Sequence, residues 1–140
     1  MRTFIILRGV SGAGKSTVAS LIEELALGNK NGRCVVATAD DYFMKDGEYK
    51  FNPAALGKAH EWCRERVDFA MSFNVPVIIL ANTSTSEKEF NPYIEMAGRH
   101  NYQIVSLIVE NRHGNSSIHN VPEKTLVGQE ERIVKSIKLR

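Results

Sequence analysis

The sequence predicts an α/β fold, a three-layer sandwich in which a parallel β-sheet lies between two layers of helices. Four short apolar runs alternate with longer segments whose apolar residues recur at helical spacing. Strands that are buried on both faces are continuous apolar runs, and their alternation with helices is typical of a parallel sheet. With 140 residues and no linker or low-complexity tract, residues 1–140 are expected to form a single domain.

The apolar spacing also predicts the order of the elements. Strands are expected at residues 3–7, 34–38, 77–80 and 104–109, and helices at residues 15–27, 53–73, 87–100 and 122–137. Asn52 followed by Pro53 resembles an N-cap with proline at the first helical position. Residues 43–51 contain Asp46-Gly47 and several aromatic residues, so they are expected to form a structured loop.

A glycine-rich motif stands between the first strand and the first helix. Residues 9–16 match the pattern G-x-x-x-x-G-K-[ST] of a phosphate-binding loop, or P-loop. Its glycines let successive backbone N–H groups point into one concave nest, and the helix that follows directs its positive end at the same anion. The predicted nucleotide-binding residues are Gly9, Val10, Ser11, Gly12, Ala13, Gly14, Lys15, Ser16 and Thr17.

Two side chains of the motif predict the chemistry of the site. Lys15 supplies a mobile positive charge for the β- and γ-phosphates of ATP, and Ser16 offers a hydroxyl to Mg²⁺. The alternative is a glycine turn that only joins a strand to a helix. The motif follows a buried strand and precedes an amphipathic helix, which favours the functional interpretation. ATP and Mg²⁺ are therefore the predicted cofactors, and Lys15 is a predicted catalytic residue.

The acidic pair Asp40-Asp41 is the candidate for proton chemistry. In an open α/β sheet, ligands bind beyond the carboxyl ends of the strands, and the pair follows the second strand at that edge. A carboxylate beside an acceptor hydroxyl can accept its proton during phosphoryl transfer. Asp40 is the predicted base and, with Ser16, a predicted contact of Mg²⁺. The alternative is that the pair caps the next segment or lies in a solvated loop.

Two further segments are candidates for the same site. Asn82 and Thr83 end the third strand, where their side chains would bind the acceptor or a metal-bound water, or would cap a turn. Residues 110–120 precede the last helix and are placed as a lid over ATP. Within this lid, Arg112 would neutralise charge on the transferred phosphoryl group, unless it is a solvated surface arginine. The four histidines show no zinc-site spacing.

These residues together resemble the phage-type polynucleotide kinase group, which includes the kinase-like half of the myelin cyclic-nucleotide phosphodiesterase. The resemblance runs from about residue 3 to residue 133. It is carried by residues 8–17, by Asp40-Asp41-Tyr42-Phe43, by residues 59–62, by Asn82-Thr83, by residues 111–114 and by Val121-Pro122.

The resemblance implies a P-loop fold of the kinase-like type with the P-loop strand inside the sheet, ATP with Mg²⁺, and phosphorylation of a 5′-hydroxyl on DNA or RNA. By motif position it implies that Lys15 and Ser16 bind phosphate and metal, that Asp40 is the base, and that Arg112 is the lid arginine. Two positions depart from the pattern. Ala81 stands where members often carry an acid, and Phe43 lies near the place of a basic residue for the acceptor's phosphate.

The composition sets outer bounds on the function. The chain is 43% hydrophobic and 24% charged, with a formal net charge of +2, which is typical of a soluble globular protein and compatible with anionic substrates. No apolar run approaches the roughly 20 residues of a membrane span, and the first run is shorter than a secretory signal. A cytoplasmic location without membrane association is predicted. The sequence is compatible with either a monomer or an oligomer.

The predicted function is an ATP-dependent kinase that phosphorylates a hydroxyl acceptor, for which a DNA or RNA 5′ end is one candidate. Two alternatives stay open. A nucleotide-dependent binding module with weak or no transfer activity would need Lys15, but it would not need Asp40 as a base. A nucleoside or nucleotide kinase would need a small closed acceptor pocket.

Overall fold

The computed structural model describes residues 1–28, 33–84, 86–110 and 121–135. In chain order, its elements are β1 (Thr3–Arg8), α1 (Lys15–Leu27), β2 (Cys34–Ala37), β3 (Met44–Lys45), β4 (Glu48–Tyr49), α2 (Leu56–Ser72), β5 (Val77–Leu80), α3 (Glu87–Arg99), β6 (Gln103–Ile108) and α4 (Glu123–Lys135). Short 3₁₀ helices follow β2 at Ala39–Phe43 and precede α2 at Pro53–Ala55. Within the described ranges, no helix is both long and apolar enough to cross a membrane.

The main sheet has four parallel strands in the order β2-β5-β1-β6. Strand β1 lies between β5 and β6, so Phe4 pairs with Ile78 on one side and with Ile104 on the other. The predicted parallel sheet and the interior place of the P-loop strand are therefore confirmed. The P-loop, Asp40 and Asn82 each follow the carboxyl end of a strand, at one edge of this sheet.

Helices cover both faces of the sheet. On one face, Val67 of α2 and Ala97 of α3 belong to the same buried cluster as Phe4. On the other face, Ala19 of α1 packs with Leu7, while α4 packs beside the P-loop. This arrangement is the predicted three-layer sandwich, and it leaves one edge of the sheet for the site.

The prediction of a loop over residues 43–51 is wrong. Strands β3 and β4 form a short antiparallel hairpin there. Its two turn residues, Asp46 and Gly47, have φ angles of 52° and 77°. Positive φ at both central residues is what a two-residue type I′ hairpin turn requires. The Asp46-Gly47 pair is a sequence signal for a hairpin turn. The flanking strands have two residues each, which is too short to show alternating hydrophobicity.

The predicted cap before the second helix is confirmed. The Asn52 side-chain oxygen accepts a hydrogen bond from the backbone N–H of Ala54 at 3.1 Å, and Pro53 occupies the first turn. This turn is a 3₁₀ helix, and α2 itself begins at Leu56. The cap therefore links the hairpin directly to α2.

Candidate nucleotide-binding site

The P-loop joins the carboxyl end of β1 to the N-terminus of α1. Gly12 and Gly14 have φ angles of 85° and 103°, which lie in the left-handed region that glycine adopts without steric cost. At Gly9 an added Cβ would stand 2.6 Å from the carbonyl oxygen of Val109, which follows β6. The three glycines of the motif are therefore required by the backbone path of the loop.

Lys15 is the first residue of α1, and its side chain folds back onto the P-loop. Its Nζ atom donates to the carbonyl oxygens of Gly9 and Val10, both at 2.8 Å. The side chain is only 8% exposed, and this burial lowers the pKa of Lys15 to about 8, although the charge of Asp40 opposes the shift. The Lys15 amine, predicted to be mobile, is therefore buried. To bind ATP, it would have to exchange its hydrogen bonds with the Gly9 and Val10 carbonyl oxygens for hydrogen bonds with phosphate oxygens.

Asp40 lies in the 3₁₀ helix after β2. Thr38 caps this helix, because its hydroxyl oxygen accepts a hydrogen bond from the Asp40 N–H at 3.3 Å. The exposed Asp40 carboxylate accepts a hydrogen bond from the Tyr49 hydroxyl at 3.3 Å. Burial, together with the charge of Asp40, raises the pKa of Tyr49 to about 12, so the phenol stays protonated and donates. Since Asp40 also acts on Lys15, the two predicted residues share one electrostatic site.

Asp41 has a different partner from Asp40. Its carboxylate lies 3.4 Å from an Arg66 guanidinium nitrogen, and both side chains are more than a third exposed. The same guanidinium lies 5.6 Å from the centroid of the Trp62 ring. Asp41 thus anchors the 3₁₀ helix to α2, which makes Asp40 the better candidate for chemistry.

Asn82 and Thr83 support the site. The Asn82 side-chain oxygen accepts a hydrogen bond from the Ala39 N–H at 2.8 Å, and its amide nitrogen donates to the Cys63 sulfur at 3.7 Å. The Thr83 carbonyl accepts from the Gly9 N–H at 3.2 Å. Of the two predicted roles for Asn82, the structure shows the capping role. Its side chain joins the end of β5 to the 3₁₀ helix that carries Asp40.

Sequence reasoning missed Gln129, a residue of α4 that contacts the P-loop. Its side-chain oxygen accepts a hydrogen bond from the Ser11 N–H at 3.0 Å, and it is 9% exposed. On either side of it in the sequence, Leu126 and Ile133 pack against apolar loop residues. The sequence did contain a signal for this contact, because Gln129 lies on the same face of the last helix as the apolar Leu126 and Ile133. A polar side chain that is buried with apolar residues needs a hydrogen-bond partner.

Arg8 was missed as well. The side chain is fully buried, and its Nε donates to the Ser84 carbonyl oxygen at 2.9 Å. Its guanidinium carbon lies 4.6 Å from the centroid of the Phe90 ring. Burial lowers the pKa of Arg8, while the charge of Glu89 opposes this shift. Arg8 thus holds the segment after β5 against α3, beside the P-loop.

Comparison with known proteins places the chain in a family. The profile of the family described as "AAA domain" matches residues 4–116. The chain belongs to this family. Two curated proteins are similar to this AAA domain. It is 36% identical over 101 residues to NEDD4-binding protein 2 of Homo sapiens and 30% identical over 105 residues to 2′,3′-cyclic-nucleotide 3′-phosphodiesterase of Mus musculus.

These alignments cover 72% and 74% of this chain, but only 5% and 23% of the two relatives. The second relative confirms the sequence resemblance to the cyclic-nucleotide phosphodiesterase. Membership of the phage-type polynucleotide kinase group stays a prediction.

Solved structures show the same fold. Mycobacterium tuberculosis APS kinase CysC in complex with AMPPNP and APS has a TM-score of 0.58 and is 13% identical, and the match covers 98% of this chain and 73% of that chain. A chain of the Pnkp1/Rnl/Hen1 complex has a TM-score of 0.59 and is 20% identical, and the match covers 91% of this chain and 38% of that chain. The chain therefore has the P-loop kinase-like fold.

The predicted magnesium contacts, Ser16 and Asp40, are exposed. Ser16 follows Lys15 in the first turn of α1, and both Ser16 and Thr17 are exposed. Among the described residues, no three His, Cys, Asp or Glu side chains are grouped to hold a metal ion. A hydroxyl and one carboxylate, that of Asp40, suit Mg²⁺, which is bound by one or two protein oxygens, waters and substrate phosphates. Arg112 and the rest of the predicted lid after Glu110 lie outside the described residues.

We expect the affinity of the chain for ATP to fall as the pH rises through about 8. The pKa of Lys15 is lowered to about 8, so its amine is charged below that pH and neutral above it, and a neutral amine cannot offset phosphate charge. Each further pH unit should then weaken binding by up to about tenfold. Calorimetric titration with ATP between pH 7 and about 10 measures this, and binding should take up a proton above pH 8. An ATP affinity that stays constant between pH 7 and about 10 would contradict a contact between the Lys15 amine and the phosphates of ATP.

Proposed function

We propose that this chain is an ATP-dependent phosphotransferase that moves the γ-phosphoryl group of ATP to a hydroxyl acceptor, with the 5′-hydroxyl of a polynucleotide as that acceptor. The observation that carries the proposal is the placement of two groups at one edge of the sheet. Lys15 lies inside the P-loop after β1, and Asp40 follows the carboxyl end of the parallel strand β2. One group suits the phosphates, and the other suits the proton of an acceptor.

The roles of the protein groups follow from the charges in the reaction. The P-loop amides, the N-terminus of α1 and the Lys15 amine would hold the phosphates as negative charge shifts towards the leaving oxygen of ADP. The Asp40 carboxylate would accept the proton of the acceptor hydroxyl as the new O–P bond forms. Mg²⁺ held by Ser16, Asp40 and the phosphates would supply charge neutralisation.

Two observations support a polynucleotide acceptor. Asp40 is exposed, so the described residues leave the acceptor side open, whereas a nucleoside kinase would enclose a small acceptor. A protein of similar fold belongs to the Pnkp1/Rnl/Hen1 RNA repair complex. Phe43, one of the departures from the family pattern, is 3% exposed and packs against Tyr49 and Phe51. The proposal therefore gives Phe43 no contact with an acceptor phosphate.

A transfer assay with γ-labelled ATP tests the proposal. We expect label to pass to 5′-hydroxyl DNA or RNA oligonucleotides and not to the same oligonucleotides with a 5′-phosphate, because a 5′-phosphate removes the 5′-hydroxyl that attacks the γ-phosphoryl group. Nucleosides serve as the competing acceptors. Labelling of nucleosides alone would replace the proposal with a nucleoside kinase. Tight ATP binding without transfer to any acceptor would replace it with a nucleotide-dependent binding module.

A further inference from the structure

Three aromatic side chains of the hairpin segment pack on one another, and one of them, Tyr49, contacts Asp40. We call Phe43, Tyr49 and Phe51 the aromatic hairpin cluster. Phe43 meets Tyr49 and Phe51 edge-on, with ring centroids 6.2 Å and 5.1 Å apart. The rings of Tyr49 and Phe51 are nearly parallel, with an angle of 12° and centroids 6.4 Å apart. The cluster thus holds two rings in a common orientation.

The members of this cluster differ sharply in exposure. Phe43 is 3% exposed, whereas Phe51 is 50% exposed. Phe51 therefore keeps half of its surface in solvent although the buried Phe43 braces it. Tyr49 stands between Phe51 and the candidate base, because its hydroxyl donates to Asp40. The exposed ring is thus separated from Asp40 by one tyrosine.

The charges around the cluster point to a base as its ligand. Lys45 and Lys50 are offset by Asp46 and Glu48, and Lys50 pairs with Glu48 at 3.8 Å. The hairpin therefore has no excess positive charge with which to attract phosphates. An exposed aromatic ring binds nucleic-acid bases through their π faces, and such stacking tolerates every base.

Resting on the proposed function, we infer that Phe51, supported by Tyr49 and Phe43, is a stacking platform for a base near the 5′ end of a single-stranded acceptor. The base stacks on Phe51 while the 5′-hydroxyl of the strand reaches Asp40. Acceptors longer than a nucleoside gain affinity from this contact. The platform is sequence-tolerant, and since it contacts a base and no phosphate, its contribution is independent of salt.

The test uses Phe51→Ala, Phe51→Leu and Phe51→Trp in the full chain. Leucine keeps the apolar contact with Phe43 but lacks a π face, so it separates stacking from folding. The matched control is Phe73→Ala, because Phe73 is 58% exposed and its carbonyl oxygen accepts from Arg33 at the other end of β2. Fluorescence anisotropy measures the binding of a 3′-labelled, 5′-hydroxyl hexanucleotide with AMPPNP present. The KM values for acceptor and for ATP come from the transfer assay.

We expect Phe51→Ala and Phe51→Leu to weaken oligonucleotide binding by about tenfold to a hundredfold, by the same factor at low and high salt. Phe51→Trp and Phe73→Ala should bind as the parent chain does, and the KM for ATP should not change. Unchanged binding in both Phe51→Ala and Phe51→Leu would overturn the platform. An equal loss of oligonucleotide binding in Phe73→Ala would also overturn it. The same holds if the Phe51 variants raise the KM for ATP and leave the KM for the acceptor unchanged.

The experiment also separates the platform from the proposed function. If no hydroxyl acceptor receives phosphate but hexanucleotide binding depends on Phe51, the platform stands and the transfer activity fails. If transfer to a 5′ end proceeds with an unchanged acceptor KM in both Phe51→Ala and Phe51→Leu, the transfer activity stands and the platform is overturned.

Discussion

Lys15→Ala should weaken ATP binding by about a hundredfold or more and remove measurable phosphoryl transfer. Loss of one preorganised donor to a developing phosphoryl charge costs about a hundredfold to a thousandfold in rate. The Lys15 side chain is 8% exposed, and its Nζ lies 2.8 Å from two P-loop carbonyl oxygens. Because the amine already lies in the loop, solvent cations cannot easily take its place. Calorimetry with ATP and the γ-label assay measure the two effects.

Thermal unfolding separates loss of the site from loss of the fold. ATP with Mg²⁺ should raise the melting temperature of the parent chain by mass action, and this rise should be absent in Lys15→Ala. Lys88→Ala is the matched control, because Lys88 is an exposed lysine of α3. It should bind and transfer normally. Near-normal turnover in Lys15→Ala would contradict the P-loop assignment.

Asp40→Asn should leave ATP binding nearly unchanged and lower transfer by about a hundredfold to ten-thousandfold, the usual contribution of a positioned general base. Asparagine keeps a side-chain oxygen for the Tyr49 hydroxyl, which lies 3.3 Å from the carboxylate, but it cannot accept a proton. The assay belongs near pH 6.5, because the charge of Asp40 raises the pKa of Lys15 and its loss would lower that pKa below about 8. A pH well below 8 keeps the Lys15 amine charged in the parent chain and favours its charged form in Asp40→Asn.

Asp41→Asn is the control for the neighbouring carboxylate. Asp41 is engaged with Arg66 on the surface, so its replacement should have a small effect on transfer. A large loss of transfer in Asp41→Asn with normal activity in Asp40→Asn would move the base to Asp41. Loss of ATP binding together with transfer in Asp40→Asn would limit Asp40 to a contact of Mg²⁺ or of the loop, and the base would have to be sought at Asp41. Normal activity in both variants would contradict base catalysis by this pair.

Most of the fold could be predicted because its strands and helices carry strong local patterns. The four strands of the main sheet coincide with mostly apolar runs, although the edge strands β2 and β6 are only partly buried, and Asn52 with Pro53 marks the start of the second helical segment. The hairpin at residues 43–51 was missed, since two-residue strands have no readable period. Its aromatic residues pack on one another and against a larger core, and this packing depends on distant segments.

The sequence by itself determined where the P-loop lies in the chain and at which edge of the sheet it lies, the edge formed by the carboxyl ends of the strands. Gly12 and Gly14 adopt positive φ angles, a local backbone requirement, and the acids follow a strand whose direction is set by the parallel sheet. Only the tertiary structure decided the partners of the polar atoms. Gln129 reaches the Ser11 N–H across 118 positions, and Asn82 caps the segment of Asp40. Periodicity shows which face of an element is buried, but the three-dimensional packing alone decides which atoms meet there.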